Sequence, residues 1–181
     1  MSRAYLLGAL HDSTERKYTF RISQKFEGYV ERIANVVNEI GFDAWTYREG
    51  RTRDMYVVEF NKAIVENYQI NSVDEKRDYI RGYFDTDGSV PKDPDARLYV
   101  YFAQRDKDDL LEVKQYLEEF EIETGTLHQP SKEADSEYWR FYVLTESHAD
   151  FAYEIGSWHP RKSRILREKR RSTPRRESGI T

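Results

Sequence analysis

The chain has 181 residues, of which 34% are charged and 38% hydrophobic, and its formal net charge is −4. It contains no cysteine, which excludes disulfides, thiolate metal sites and a cysteine nucleophile. No stretch approaches the ~18 apolar residues of a membrane span, and the N-terminus does not read as a signal peptide, so we expect a cytoplasmic protein.

The charge is distributed unevenly along the chain. Residues 157–181 hold nine Lys and Arg against two Glu, which leaves 20 basic and 31 acidic residues in 1–156. An acidic body argues against nucleic-acid binding by bulk charge, so such binding requires a local basic face. We expect the basic tail from residue 165 to be disordered. It either supplies phosphate contacts of no sequence preference or only solubilises the chain.

The first elements are a helix, a strand and a second helix. Apolar residues around Gly8 predict a helix from about Ser2 to Asp12, with Ser2 as its cap. Alternation over 17–25 predicts a strand whose basic and hydroxyl side chains face outward, opposite Tyr18, Phe20 and Ile22. Apolar residues at helical spacing over 27–40 predict a helix that packs behind this strand.

Two further strands and a hairpin complete the first half. They are predicted over 42–48 and 53–61 and are joined by a basic turn that carries Arg51. Such a tip is suited to the flank of a nucleic-acid target, and a solvated turn is the equally reasonable alternative. A short helix is predicted after Lys62.

The next helix begins near Ser72, has Gly82 at its centre and ends in Asp85, Asp87 and Gly88. Carboxylates at the C-terminal end of a helix are opposed by the helix dipole. A chain that places acids there is expected to use them, and divalent metal binding is the obvious use. The alternative is a solvated helix end followed by a turn.

The first helix is a second copy of this pattern. Tyr5 and Gly8 have the spacing of Tyr79 and Gly82, at an offset of 74 residues. The glutamines that end the following strands, Gln24 and Gln104, are offset by 80. This internal repeat makes the single chain equivalent to a two-fold dimer, so we expect a monomer.

The second half repeats the plan of the first. Strands are predicted over 97–105, 123–129 and 137–145, with helices over 106–121 and 146–158. The outward positions of the first strand carry Arg97, Tyr99 and Tyr101, whereas the inward positions are apolar. The four histidines show no metal-ligand spacing, which argues against a zinc site.

The stretch Ile80-Arg81-Gly82-Tyr83-Phe84-Asp85-Thr86-Asp87-Gly88 resembles the signature of the LAGLIDADG homing endonucleases, and Leu6–Asp12 resembles a worn first copy. The likeness extends over about residues 3 to 168 and implies an α+β fold built from two αββαββα-like halves. We place these halves at residues 1–70 and 71–164, before the tail of 165–181. In the family, the signature helices pack together at the centre, and two antiparallel sheets form a DNA-binding saddle.

The resemblance also implies a free-standing, site-specific endonuclease of the intron-homing type. It would hydrolyse double-stranded DNA at a long asymmetric target with Mg²⁺ or Mn²⁺. The metal ligands would be Asp87 and Asp12. Asp12 lies one residue closer to its glycine, Gly8, than the family pattern requires. Gln24 and Gln104 would position waters beside the acids, and Lys62 would lie near the scissile phosphate.

We predict DNA contacts for outward-facing residues of both sheets, for the hairpin tip and for the C-terminal basic stretch. These residues are Lys17, Thr19, Arg21, Ser23, Lys25, Arg48, Arg51, Arg53, Arg97, Tyr99, Tyr101, Arg105, Arg140, Arg161 and Lys162. An ordinary solvent-exposed face is the competing interpretation for the sheet residues.

Two other functions are compatible with the sequence. Ser13 stands where the first metal-binding acid is expected, which favours a non-catalytic protein of the same fold, such as a regulator or an intron RNA maturase, or an enzyme that only nicks DNA. A protein-interaction module with an acidic surface is the third hypothesis.

Overall fold

A computed structural model describes residues 1–50, 53–93, 95–131, 133 and 135–170 of the chain. These residues form two compact units. The first contains residues 1–86 and 158–160, and the second contains residues 87–157 and the described residues from 161. Each unit has one antiparallel sheet, which confirms the predicted α+β class. Within the described ranges, no helix is both long enough and apolar enough to cross a membrane.

The first unit places a four-stranded sheet beside three helices. The sheet has the order β1-β2-β4-β3, and all its pairings are antiparallel. Its elements are α1 (Arg3–Ala9), a 3₁₀ turn (Leu10–Asp12), β1 (Ser13–Glu15), β2 (Thr19–Gln24), α2 (Glu27–Glu39), β3 (Ala44–Arg48), β4 (Tyr56–Asn61), a 3₁₀ turn (Lys62–Ile64) and α3 (Val73–Thr86).

The core of this unit lies between the sheet and α2. Ile22 and Phe60 of the sheet are fully buried, as is Ile33 of α2. Burial of these side chains on folding is the main stabilising contribution of the layer. Tyr18, which we expected to point inward, is 66% exposed because it precedes β2 in the turn after β1.

Both signature helices begin at serine caps, as the sequence predicts. The Ser2 hydroxyl accepts a hydrogen bond from the backbone N–H of Tyr5 at 3.3 Å. At α3, Ser72 and Glu75 form a capping box, in which each side chain accepts a hydrogen bond from the other residue's backbone N–H. These bonds satisfy N–H groups that the first turn of a helix leaves without partners.

The two signature helices cross at their glycines. A Cβ atom built on Gly8 would lie 2.0 Å from the carbonyl oxygen of Tyr79, and one built on Gly82 would lie 2.0 Å from that of Tyr5. Only residues without a Cβ permit backbones to approach so closely. The prediction that both glycines lie at the contact between α1 and α3 is confirmed.

The second unit has a smaller sheet. Its elements are β5 (Tyr101–Gln104), α4 (Lys107–Glu119), β6 (Trp139–Tyr142), a 3₁₀ turn (Thr145–Ser147), α5 (His148–Glu154) and α6 (Pro160–Arg170). Among the described residues of this unit only β5 and β6 form a ladder, and the strand predicted at 123–129 is reduced to isolated bridges, as is the segment around Ser89, which bridges Tyr101. Pro91 and Gly125 account for this, since proline lacks an N–H and glycine weakens a strand.

The boundaries of the compact units differ from those of the sequence repeat. The repeat divides near residue 70, whereas the first unit extends to Thr86 because α3 packs along α1. At the other end, residues 165–170 of the expected tail are helical, because Ile165 and Leu166 are buried. Residues 171–181 lie outside the described part of the chain.

The glycine crossing gives a first prediction. Gly8→Ala should lower the free energy of unfolding by about 1–3 kcal/mol or more, because the new methyl group overlaps a backbone oxygen that a packed helix cannot move. The matched control is Gly28→Ala in α2, where nothing lies within 4 Å of the added methyl group. Urea unfolding should show Gly28→Ala unchanged or stabilised by up to about 1 kcal/mol. Equal effects at the two positions would contradict the crossing.

Candidate functional site

In the second unit, the acid after the signature helix is held by a glutamine. Asp87 directly follows the last residue of α3, and Gln104 is the last residue of β5. The Nε2 atom of Gln104 donates a hydrogen bond to Oδ2 of Asp87 at 3.0 Å. Both residues are half-buried. The amide therefore orients a carboxylate that retains further lone pairs for other partners.

The first unit contains the same arrangement. Asp12 ends the 3₁₀ turn after α1, and Gln24 is the last residue of β2. The Nε2 atom of Gln24 donates to Oδ2 of Asp12 at 3.2 Å. Each half of the chain thus brings one acid of its motif to the glutamine of the following strand, which is what the repeat predicts.

The 3₁₀ turn explains how Asp12 reaches its glutamine with one residue fewer after the glycine. A 3₁₀ turn rises ~2.0 Å per residue, against ~1.5 Å in an α-helix. From Gly8 to Asp12 the chain therefore rises about 7.5 Å, as it does over the five residues from Gly82 to Asp87. Ser13, which residue counting places at the acid position, instead begins β1 and pairs with Ile22.

Asp85, the other acid of the second motif, has a structural role. Its side chain is fully buried. Its Oδ2 atom accepts hydrogen bonds from the Tyr5 hydroxyl at 2.7 Å and from the Trp158 backbone N–H at 2.9 Å. The Tyr5 hydroxyl also lies 2.8 Å from that of Tyr29. Burial raises the pKa of Tyr5 well above its usual value and the Asp85 carboxylate raises it further, so this phenol stays protonated at neutral pH.

The acid–glutamine pairs are suited to a hard cation that keeps much of its water. No group of three or more His, Cys, Asp or Glu side chains forms a metal cage among the described residues. Mg²⁺ is commonly held by one or two carboxylates, with waters and substrate phosphates as its remaining ligands. The carboxylate and amide oxygens of each pair fit that requirement, whereas they do not fit a closed site for zinc.

The structure does not bring Lys62 to an acid–glutamine pair. Lys62 follows Asn61, which pairs with Thr19 at the start of β2, whereas Gln24 ends that strand. Five residues of strand separate these ends by about 17 Å. The Nζ atom of Lys62 forms an ion pair with Glu15. The family resemblance implied a catalytic position for Lys62 that the register of the sheet does not support.

Arg21, the central basic residue predicted to bind DNA on the first sheet, is paired with an acid. Arg21 forms an ion pair with Glu49, and its guanidinium lies 5.7 Å from the centre of the Tyr47 ring. Glu59 accepts hydrogen bonds from Thr19 at 2.6 Å and from Tyr47 at 3.1 Å. This face is therefore a network of opposite charges, not an open basic surface.

The remaining predicted contacts of the first unit are more exposed. In the hairpin, Arg48 lies 3.6 Å from Asp54 and Arg53 lies 3.9 Å from Glu49, whereas Arg51 falls outside the described residues. Lys17 and Lys25 are exposed, and Ser23 is half-buried.

In the second unit, the C-terminal basic residues secure the chain after the motif. Lys162 is only 4% exposed and donates to the Gly88 carbonyl oxygen at 2.6 Å. Its predicted role as a surface contact is therefore wrong, because the side chain is inside the protein. Arg161 donates to the Pro91 carbonyl oxygen at 3.0 Å.

The sheet of the second unit carries the other predicted contacts on its outer face. Arg97 is exposed, and Arg105 pairs with Asp135 at 2.9 Å. Tyr99, Tyr101 and Arg140 form an aromatic cluster, which His128, Tyr138 and Tyr142 extend. Sequence analysis missed these last three residues, although the alternation of Tyr138, Arg140 and Tyr142 was a usable signal.

Comparison with known proteins identifies the fold. Residues 74–156 match the model of the LAGLIDADG-like domain family. The structure is similar to that of I-DmoI in complex with DNA and Mn, with a TM-score of 0.65 and 18% identity over 87% of this chain and 97% of that chain. The I-DmoI complex with DNA and Ca gives a TM-score of 0.67 at 15% identity, over 92% of this chain and 96% of that one.

Two structures of another protein share the fold. Full-length DUF199/WhiA from Thermatoga maritima has a TM-score of 0.67 and 13% identity, over 98% of this chain and 63% of that chain. The N-terminal LAGLIDADG domain of DUF199/WhiA has a TM-score of 0.65 and 13% identity, over 91% of this chain and 88% of that chain. A comparison with curated proteins finds no match. The resemblance inferred from the two motifs is confirmed.

The buried carboxylate gives a second prediction. Asp85→Ala should lower the free energy of unfolding by about 3 kcal/mol, because it leaves the Tyr5 hydroxyl and the Trp158 N–H as buried donors without their acceptor. The control is Asp74→Ala, an exposed acid at the start of the same helix that pairs only with Arg77. Its loss should cost at most about 1 kcal/mol in urea unfolding. Similar losses for the two variants would rule out a structural role for Asp85.

Proposed function

We propose that the chain is a metal-dependent, site-specific DNA endonuclease, since residues 74–156 match the model of the LAGLIDADG-like domain family and the fold is similar to that of the homing endonuclease I-DmoI. The observation that carries this proposal is the repeated acid–glutamine pair. In each half, the carboxylate that follows the glycine helix is held by a glutamine at the end of the next strand. Oriented carboxylates of this kind are typical of metal-dependent phosphodiester hydrolysis.

The chemistry assigned to these residues is the following. A bound Mg²⁺ or Mn²⁺ would supply a nucleophile from water at neutral pH and would stabilise charge on the leaving oxygen. Asp87 and Asp12 would be its anionic ligands. Gln104 and Gln24 hold Oδ2 of these acids through their Nε2 atoms, and the Gln104 amide oxygen is itself held by the Arg105 backbone N–H. Positioning by a second side chain limits the motion that a lone exposed carboxylate would have.

The proposed substrate is a duplex with a long asymmetric target, and the expected biological setting is intron homing by a monomer. Asymmetry is expected because the two halves of the repeat differ in sequence, so equivalent positions offer different side chains to the two half-sites. I-DmoI, whose fold this chain shares, has been crystallised with DNA and Mn.

A second candidate is a nucleic-acid-binding protein of the same fold that does not cleave both strands, such as a nickase, a regulator or an intron RNA maturase. The exposure of Asp12 and the position of Lys62 favour it. Asp12 is the more exposed of the two motif acids, and Lys62 is paired with Glu15, away from Gln24. A first half-site with an exposed acid, and with Lys62 held by Glu15, would be a weaker cleavage centre.

The two candidates are separated by substitution of the acids. Asp87→Asn should reduce strand cleavage of a randomised duplex library with Mg²⁺ by at least about 10²-fold, because a neutral amide is a poor ligand for the ion. Asp12→Asn should reduce it equally if both acids hold metal. The matched control is Asp43→Asn, an exposed acid outside the motifs, which should cleave like the wild type.

The products on a denaturing gel decide between the outcomes. Cleavage of both strands by the wild type, lost in both motif variants, supports the endonuclease. Nicking of one strand, with Asp12→Asn close to wild type, would replace the endonuclease by a nickase. If the wild type binds duplexes but cleaves none of them with metal, the chain is a non-catalytic nucleic-acid-binding protein.

A further prediction concerns the ion-pair network of the first sheet. Glu49→Gln should tighten duplex binding at low salt and steepen the dependence of log K on log[salt] by about 1, because it releases Arg21 for a phosphate contact. Glu31→Gln removes the same charge from the exposed face of α2 and is the control. An unchanged salt slope in Glu49→Gln would show that Arg21 does not face the DNA.

A further inference from the structure

The sheet of the second unit separates its residues by face. Val100, Phe102, Phe141 and Val143 point into the core and are buried. The alternate positions of β5 and β6 and the bridged arm carry a set that we call the tyrosine face. It consists of Tyr99, Tyr101, His128, Tyr138, Arg140 and Tyr142. Side chains two residues apart share one face of a strand, so this grouping follows from the sequence.

The rings of the tyrosine face are ordered against one another. Tyr99 and Tyr101 are stacked, with centroids 5.7 Å apart and planes at 18°. His128 and Tyr142 are nearly parallel, at 6.0 Å and 7°. Tyr101 meets Tyr142 edge to face at 5.4 Å. Tyr99 is 37% exposed and His128 is also exposed, so ring surface on this face remains open to solvent.

Arg140 lies among these rings without an acidic partner. Its guanidinium carbon is 4.3 Å from the centre of the Tyr101 ring and 6.0 Å from that of Tyr142. Its Nη1 atom donates to the Tyr142 hydroxyl at 3.3 Å. No carboxylate pairs with it in the described part of the chain, and its buried Nε has no hydrogen-bond partner there. A stacked guanidinium with a spare donor is suited to a ligand that offers both a π surface and an acceptor.

A cavity of about 300 Å³ opens at the edge of the tyrosine face. Tyr99 and Tyr142 line it, together with Arg97 and the buried His148. Burial lowers the pKa of His148, and its Nε2 lies 3.1 Å from the Val143 carbonyl oxygen. The cavity is at the small end of the range of ligand sites in proteins, which is the scale of a single heterocycle.

The outer sheet face of the first unit differs in its charges. Trp45 and Tyr47 are exposed there too. However, Arg21 is paired with Glu49, and Glu59 accepts hydrogen bonds from Thr19 and Tyr47. The combination of stacked rings with an arginine that no carboxylate pairs with, among the described residues, is therefore found on the second sheet.

From the exposed rings, the stacked Arg140 and the adjoining cavity, we propose that the tyrosine face binds unpaired nucleobases of a single-stranded segment. In a duplex each base is covered by its neighbours, so an aromatic ring reaches a base face only where pairing and stacking are interrupted. Bases stack on the exposed rings, Arg140 supplies charge and a donor, and one base enters the cavity. This assignment replaces the duplex contacts expected for Tyr99, Tyr101 and Arg140.

The proposal is independent of strand cleavage and is tested without it. The full chain is titrated in EDTA with fluorescent single-stranded DNA and RNA of one sequence, about 12 nucleotides long, and with the matching duplex. Tyr99→Leu and Tyr142→Leu should each weaken single-strand binding by about ten-fold or more, since each removes one stacking ring. Tyr99→Phe and Tyr142→Phe keep the ring and should bind within about three-fold of the wild type.

The control is Tyr153→Leu, which removes an exposed tyrosine from α5 of the same unit and should leave binding unchanged. Thermal unfolding by circular dichroism shows which variants are folded. If Tyr142→Leu is unfolded, the binding result for Tyr99→Leu alone decides the proposal. Weaker binding of both single-stranded DNA and RNA by the leucine variants supports stacking on bases whichever sugar carries them. Weaker binding of RNA alone supports a site that also contacts the 2′-hydroxyl.

Two results would overturn the proposal. One is single-strand affinity that Tyr99→Leu leaves unchanged. The other is an equal loss of duplex and single-strand binding in the leucine variants, which would return the face to duplex contacts. The titration in EDTA measures binding without metal-dependent cleavage, so a failure of the proposed endonuclease activity is recognised separately from a failure of the tyrosine face.

Discussion

The contact between the backbones of α1 and α3 is the constraint on which the first unit depends. A methyl group on either glycine would lie 2.0 Å from a carbonyl oxygen of the facing helix, so the two helices accept no side chain at their crossing. The crossing in turn determines what surrounds it. The carbonyl oxygen of Tyr5 lies against Gly82, and the hydroxyl of Tyr5 donates a hydrogen bond to Asp85. The same helix pair therefore combines a tight backbone contact with a buried polar cluster that is fully hydrogen-bonded.

Much of this arrangement can be predicted from the sequence, because each copy of a duplicated motif shows which features of the other are meaningful. The spacing of Tyr5 and Gly8 recurs in Tyr79 and Gly82, and glycine at a helix centre is costly unless a backbone lies against it. The glutamine partners of the acids follow from the same alignment. The position of Asp12 was harder to predict, because counting residues assumes a uniform α-helix. A single 3₁₀ turn increases the rise per residue enough to compensate for the residue that the first motif lacks between Gly8 and Asp12.

Two of the predicted DNA contacts have partners in the protein that are distant in the chain. Arg21 pairs with a glutamate 28 positions away, and Lys162 reaches a carbonyl oxygen 74 positions away. Periodicity shows which face of a strand a residue occupies, but it does not show whether an acid from another strand will neutralise that residue. The two acids of the second motif illustrate the same limit. Both end the helix, and only the packing of Tyr5 and Trp158 makes Asp85 structural.

The two outer sheet faces differ although the repeat supplies two equivalent scaffolds. Arg21 of the first sheet pairs with Glu49, whereas no carboxylate among the described residues pairs with Arg140, which lies against the Tyr101 ring. An arginine that is released from an ion pair binds phosphate through counterion release, so its contribution weakens steeply with salt. Stacking of a ring on a base is not itself an ionic contact, although single-strand binding as a whole remains salt-dependent. The same scaffold therefore presents an ion-paired arginine in one half and a ring-stacked arginine in the other.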